Sequence, residues 1–411
     1  MWGRTFLPLA GIGLTAAAMS CSAGQSGNEN PLDVGYDTDD AVASSRGFGD
    51  PLPRLSADEQ ARFLAGKIEF ANNEGVDDGL GPVFNDTSCG NCHVSPALGG
   101  SSNVIEMRFG AVANGKFDPL AQLGGSLIQV KGIGAAGDCT FNGELVPKQA
   151  TVSAGRRTVP LFGLGLVDAL SESTLIALRD SEANQSPHQA GTLNLVHDIA
   201  HNRTAVGRFG WKDQNPTLHQ FSGDAYVNEM GITSPEFPID NCPQGDCDAL
   251  ARCNPATAIS DADGADVQKF FDFMTFLAPP PSVSLDDGAK HGRRLFEQIG
   301  CQNCHVESLT TSRNTSLALS HVTFHPYSDF LLHDMGTLGD GITQDGATGK
   351  LMRTAPLWGL RKTTTFLHDG SATSVEQAIT RHQGQGRDAG NAFTKLNAAD
   401  RRDVLNFLNR L

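Results

Sequence analysis

The pentapeptide Cys-x-x-Cys-His occurs twice, as Cys89-Gly90-Asn91-Cys92-His93 and as Cys301-Gln302-Asn303-Cys304-His305, and nothing else in the 411 residues constrains the chain as tightly. Each copy offers two thiols able to form thioethers with the vinyl groups of one haem, followed at once by an imidazole placed to bind the iron from the proximal side. The pair therefore predicts two covalently bound haem c groups held by Cys89, Cys92, His93, Cys301, Cys304 and His305, with the two histidines as iron ligands. The competing use of the same thiols is one four-thiolate zinc site. That use leaves both adjacent histidines unexplained.

The N-terminus reads as an export signal. Arg4 precedes an apolar run from Phe6 to Met19, too short for a membrane span and of the right length for a signal peptide core, so residues 1–20 are expected to be removed. Ala18-Met19-Ser20-Cys21 has the form of a bacterial lipoprotein box, which makes Cys21 the lipidation site; ordinary cleavage near Ala16-Ala17-Ala18 is the alternative. Either route predicts a periplasmic or cell-envelope protein whose only membrane attachment is an N-terminal lipid anchor. In that oxidising compartment Cys139, Cys242, Cys247 and Cys253 should form two disulfides, with all three pairings open. A net charge of −15 and the lack of any basic stripe argue against a nucleic-acid partner and leave a redox donor protein, such as a small cytochrome or copper protein, compatible.

Residues 21–55, rich in Gly, Asn, Asp and Ser, read as a flexible tether. Folded structure is expected from Ser56-Ala57-Asp58-Glu59, a capping box ahead of residues at helical spacing, and the same grammar returns at Ser284-Leu285-Asp286-Asp287. Each half closes with an amphipathic helix, Val267 to Leu277 and Ala398 to Leu411, and Pro279-Pro280-Pro281 separates them. Between these ends, Arg157-Thr158-Val159-Pro160-Leu161-Phe162-Gly163-Leu164 is repeated as Arg353-Thr354-Ala355-Pro356-Leu357-Trp358-Gly359-Leu360. The offsets, 353 − 157 = 196 for this phrase and 301 − 89 = 212 for the haem cysteines, are nearly equal, which marks one internal duplication. The expected fold is mainly α: two tandem cytochrome c-like domains, residues 56–278 with insertions and residues 284–411, with long loops and little β.

A third parallel, Pro216-Thr217-Leu218-His219-Gln220 with Thr373-Ser374-Val375-Glu376-Gln377, exposes a difference between the copies. Five residues after Gln377 comes His382; five after Gln220 comes Ala225. The C-terminal iron thus has an imidazole where the N-terminal iron has a methyl group, so one iron is capped and the other is open to a small oxidant. His333 and Met335 rival His382, and Met107, His197 and His201 are candidates for the N-terminal iron.

Phe366-Leu367-His368-Asp369-Gly370-Ser371 with Val375-Glu376-Gln377-Ala378-Ile379 resembles the C-terminal domain of bacterial di-haem cytochrome c peroxidases. Adding Phe84-Asn85-Asp86-Thr87-Ser88-Cys89, Gly207-Arg208-Phe209-Gly210-Trp211-Lys212 and Leu331-Leu332-His333-Asp334-Met335-Gly336, the chain from about Ser56 to Leu411 is similar to the related di-haem oxidoreductases, sometimes labelled thiol oxidoreductases. The resemblance implies an exported enzyme that reduces peroxide at the N-terminal haem with electrons delivered through the C-terminal haem. It implies Glu229 and Gln220 over the peroxide-binding haem, Trp211 between the haems, and His382 in place of the relatives' methionine or tyrosine. It also implies a calcium ion between the haems, with Thr363 as a contact, although Arg156 stands where an asparagine is expected. Other readings are an electron-transfer cytochrome without catalysis and a thiol- or protein-modifying di-haem oxidase. The only Cys-x-x-Cys pairs are committed to haem, so the label thiol oxidoreductase does not follow from a redox dithiol.

Overall fold

The computed structural model describes the backbone of residues 32–34 and the whole of residues 46–256 and 258–411. The signal peptide and Cys21 lie outside the described residues. The described parts of the expected tether, residues 32–34 and 46–55, are docked on the folded body. Strand β1 (Leu32–Val34) pairs in parallel with the strand Val322–Phe324 of the C-terminal half. Leu52 is buried, donates its N–H to Phe276 O at 2.7 Å, and lies beside a bridge between Pro51 and Leu277. Phe48 joins it, its ring 5.4 Å from that of Phe162, so two apolar residues dock a stretch whose composition reads as linker.

Each half is organised by a crossing of its first and last helices. In the N-terminal half α1 (Ala57–Phe70) begins at a full capping box, Ser56 Oγ accepting from Glu59 N and Glu59 accepting from Ser56 N. Its buried Phe63 and Phe70 pack on Phe270 and Phe273 of the closing helix Ala265–Phe276. Each such ring, fully buried, stabilises the fold by roughly 1.5–3 kcal/mol. The helices approach at Gly66, where a Cβ would sit 2.2 Å from Lys269 O. In the C-terminal half the helix Asp287–Gln298, capped by Asp286, crosses the final helix Ala398–Leu408, capped by Asn397. There Phe296, Tyr327 and Phe407 form the ring cluster, and Gly292 makes the close approach, with Asp403 O 1.9 Å from where a Cβ would be. The duplicated phrase folds alike in both places: Gly163 (φ 74°) and Gly359 (φ 77°) each take the left-handed turn that glycine adopts without strain. The two copies touch, since a Cβ on Gly163 would meet Trp358 at 2.8 Å.

The mainly helical expectation holds only in part, because among the described residues strand accounts for 16% beside 35% helix. Much of the strand lies in the N-terminal insertion, where the strand Ile105–Ala113 runs antiparallel between Lys116–Asp118 and Val152–Arg157. Disulfides Cys139–Cys253 and Cys242–Cys247 realise one of the three pairings. The larger core gathers residues from Leu52 to Ala278 and also takes Leu309, Leu319, Val322, Phe324 and Phe330 from beyond the triple proline. The second core is built from residues 285–411. Among the described residues no helix is long and apolar enough to cross a membrane.

Because Cβ atoms have no room at either crossing, Gly66→Ala and Gly292→Ala should each destabilise the protein by about 1–3 kcal/mol through overpacking. Denaturant midpoints of the two variants against wild type would check this.

Candidate haem sites

The first attachment motif begins the short helix Cys89–Cys92, capped by Ser88 Oγ accepting from Gly90 N at 3.1 Å. His93 follows, with Nδ1 3.1 Å from Gly100 O; at the second motif His305 Nδ1 lies 2.9 Å from Tyr327 O. A carbonyl only accepts, so in both rings Nδ1 carries the proton and Nε2 keeps its lone pair. Burial pushes both imidazoles down to about 4, so they are neutral near pH 7. A neutral imidazole with a fixed Nε2 is what an iron needs. All four motif cysteines are free of disulfides. The four-thiolate zinc alternative fails on geometry: among the described residues no group of metal-ligating side chains brings the two cysteine pairs together.

The second motif opens into an apolar cavity. Cys301, Cys304 and His305 line it, and so does His382, just beyond the helix Val375–Thr380. The His382 Nδ1 is 2.8 Å from Ala378 O, and burial lowers its pKa, so a third imidazole is neutral with Nε2 unengaged. Arg157 Nε and Arg353 Nη1, both residues on the cavity wall, are buried without a hydrogen-bond partner in the protein, while Arg353 Nε lies 3.6 Å from Asp213 Oδ1. Orphaned guanidinium nitrogens beside two thiols and two imidazoles fit the propionates of a covalently attached haem. These arginines open the two copies of the repeated phrase, so the signal that marks them was present in the sequence, although their role was not read from it. Of the rivals to His382, Met335 and His333 both share the cavity wall, but both ring nitrogens of His333 are engaged, Nε2 2.9 Å from Asp329 and Nδ1 3.5 Å from Cys304 Sγ.

In the N-terminal half the counterpart of the His382 segment is the long helix Leu218–Met230. Its N-cap repeats the motif exactly as the duplication implies, with Thr217 Oγ1 accepting from Gln220 N as Ser374 Oγ accepts from Gln377 N, both at 3.1 Å. Leu218, Tyr226 and Met230 are buried, whereas Phe221, Ala225 and Glu229 are only partly covered. Ala225 and Glu229, four apart, are neighbours on the helix surface. Asn85, four residues before Cys89, donates Nδ2 to Glu229 Oε2 at 2.7 Å. Burial, aided by the Glu106 charge, raises the Glu229 pKa to about 7, and its charge is felt at both Cys89 and Cys92. Glu229 therefore sits at the first attachment motif with a proton it can exchange near neutrality.

Gln220 does not join it. Nine residues of helix separate the two by about 13 Å of rise and half a turn. The Gln220 amide is engaged instead: Nε2 donates to His197 O at 3.0 Å and Oε1 accepts from Ile199 N at 2.9 Å. Its expected role as a substrate-orienting residue is replaced by one of pinning the hairpin Leu195–Asp198 to Arg203–Val206. The other candidates for the first iron are also displaced. His197 is exposed, His201 is 68% exposed and bound to Asp198, and Met107 packs against the small cluster of Phe109, Leu120 and Ile128.

Trp211 does stand between the halves. Its Nε1 donates to Arg157 O at 3.0 Å, its carbonyl accepts from Arg353 N at 3.0 Å, and its ring lines the C-terminal cavity. Next to it, buried Lys212 Nζ is 2.8 Å from Asp340, which also holds Arg156 at 2.6 Å. A guanidinium and an ammonium share this carboxylate, so Arg156 occupies a cationic position, and the calcium expectation gains no support from it.

The sequence profile of the family described as "Di-haem oxidoreductase, putative peroxidase" matches residues 33–110 and 139–411. The chain belongs to this family of di-haem oxidoreductases. The unmatched residues 111–138 fall within the N-terminal insertion. No curated protein matches the chain by sequence. Among solved structures it is similar to the diheme peroxidase BthA from Burkholderia thailandensis, at 13% identity and a TM-score of 0.40 over 93% of this chain and 90% of that one. It is similar to a MauG-like protein associated with microbial copper homeostasis, at 14% identity and a TM-score of 0.39 over 89% and 94%. A third is the hydrazine synthase of Kuenenia stuttgartiensis, at 14% identity and a TM-score of 0.39 over 98% and 100%.

Replacing His382 by Ala should leave both haems attached but convert the C-terminal centre from low spin to a ligand-accessible high-spin form. Electron paramagnetic resonance of the oxidised protein, with intact mass to count haems, would check it.

Proposed function

We propose that this exported di-haem oxidoreductase reduces a peroxide at the N-terminal haem with electrons that enter through the C-terminal haem. When bound at Cys89–Cys92 and Cys301–Cys304, the two haem c groups would supply the redox chemistry, accepting single electrons and activating the O–O bond. The observation that carries the reading is the asymmetry of the copies: the C-terminal half offers His305 and His382 across one cavity, while the N-terminal half offers Ala225 and Glu229 on the corresponding helix. An imidazole caps; a methyl group beside an ionisable carboxyl leaves room and moves protons.

Reduction of a peroxide to water consumes two electrons and two protons. Glu229 accepts the proton from the near oxygen and returns it to the far oxygen as the bond between them breaks. Its pKa of about 7 balances the two halves of that task, and Asn85 fixes the carboxyl through Oε2. Trp211, bonded to both copies of the repeated phrase, gives electrons a packed aromatic route between the halves. The neutral imidazole of His382 favours the oxidised iron more than a thioether would, which suits a donor of lower potential. Export, the lipid anchor at Cys21 and a small cytochrome or copper protein as donor complete the proposal and rest on the sequence. Calcium has no part in it.

Glu229→Gln should retain both haems and lose about 10²–10⁴-fold in turnover with hydrogen peroxide, the range for removing a general acid–base group. The wild-type rate should fall as pH drops below about 7, because the base form of Glu229 is lost by protonation there, and this limb should vanish in the variant. Steady-state kinetics across pH would check both; unchanged turnover would remove Glu229 from the mechanism. Gln220→Ala, in contrast, should lower stability by about 1–3 kcal/mol through unpaired backbone groups. Its turnover should stay near wild type, as denaturation and kinetics on the same sample would show.

A further inference from the structure

One buried group that the proposed reaction does not use touches the second attachment motif. His333, in the strand Leu332–Asp334, is 2% exposed; its Nδ1 lies 3.5 Å from Cys304 Sγ and its Nε2 lies 2.9 Å from Asp329 Oδ2. In the haem-bound protein that sulfur is a thioether and carries no hydrogen, so it can only accept. An ionised carboxylate can also only accept. A ring whose two nitrogens both face acceptors donates from both, and His333 is then an imidazolium. Asp329, 0% exposed, is built to hold it: Oδ1 accepts from Leu331 N at 2.8 Å, which leaves Oδ2 directed at the ring. Near Asp329 stands Glu182, whose Oε2 accepts from Gly191 N at 2.8 Å and whose carboxyl pKa is raised to about 7 by burial and by the Asp329 charge.

The positive end of this pair faces Cys304, which would hold the haem, and the negative end lies beyond the ring. Adding an electron to the iron lowers its charge by one, and a buried cation close by favours that state, because Coulomb energies grow as the local dielectric falls. Hydrogen bonding and charge around a redox centre are established levers on its potential.

We propose that His333 is a positioning residue for electron entry: held as an imidazolium by Asp329, it donates a hydrogen bond to the Cys304 thioether sulfur and raises the reduction potential of the C-terminal haem. It thereby offsets the lowering that His382 brings. This rests on the reading that Cys301 and Cys304 hold a haem capped by His382.

The test uses the haem-loaded protein and two variants. His333→Gln removes the cation. Asp329→Asn keeps an oxygen for Leu331 N but turns an amide toward Nε2, so the ring becomes neutral while its Nδ1 can still donate to sulfur. Haem attachment is read by intact mass and tryptic peptides, spin state by paramagnetic resonance, and the midpoint of each haem by spectroelectrochemical titration. The expected result is two attached haems, an unchanged low-spin C-terminal centre whose midpoint falls in both variants, and an N-terminal midpoint equal to wild type. A C-terminal midpoint equal to wild type in both variants overturns the proposal and leaves the haem reading intact. A high-spin C-terminal centre in His333→Gln makes His333 the iron ligand and overturns the proposal on a different ground. Absence of haem on the Cys301–Cys304 peptide overturns the underlying reading and the proposal with it.

Discussion

A hydrogen bond from a half-buried imidazole Nδ1 to a backbone carbonyl recurs at His93, His305 and His382, and the haem chemistry proposed for this chain depends on it. Its net worth to stability, about 0.5–1.5 kcal/mol, is small. What it decides is the tautomer. With the proton fixed on Nδ1 and burial disfavouring the charged ring, Nε2 is a lone-pair donor aimed by the fold instead of one of two rotatable choices. The same device at His382 as at the two motif histidines is the strongest physical reason to set it apart from the exposed histidines of the N-terminal hairpin.

The contrast between the copies has an electrostatic counterpart. From Asp340 a line of buried or half-buried charges runs through Arg156 and across the strand pair to Glu106, its ladder partner, and on to Arg108 and Glu229. Buried ion pairs add little net stability, but deleting one partner costs about 3–5 kcal/mol. Such a line is better understood as fixing register, here of the N-terminal sheet against the 336–350 loop, and as the field in which Glu229 titrates. The C-terminal cavity has its own arrangement, with Asp329, His333 and Glu182 grouped at the attachment cysteine.

Legibility followed the range of the interaction. Local signals read true: the capping box at Ser56, the glycine turns at 163 and 359, and the paired N-caps at Thr217 and Ser374 are each decided within a few residues. The number of disulfides was also legible from an even cysteine count, although their pairing was not. What failed depended on contacts distant in sequence. The segment 46–55 looks like linker because its docking partner lies more than two hundred residues on, at Phe276 and Leu277. Gln220 was set over the haem by resemblance to the family, but its amide is claimed by the carbonyl of His197 and the N–H of Ile199, which no linear pattern announces. The insertion at 105–157 is strand because its partners pair across long loops, which pulled the composition away from a purely helical expectation.

The larger core takes Leu319, Val322, Phe324 and Phe330 from beyond the triple proline, and this has a consequence for how the duplicated halves work together. Copies that arose as modules no longer separate as modules, since cutting at 279–281 would strip apolar packing from one and leave it bare on the other. Electron tunnelling weakens exponentially with the gap to be crossed, so two centres carried on hinged lobes would exchange charge at rates set by the hinge. Interleaving the cores removes the hinge and makes the spacing of the two centres a constant of the fold.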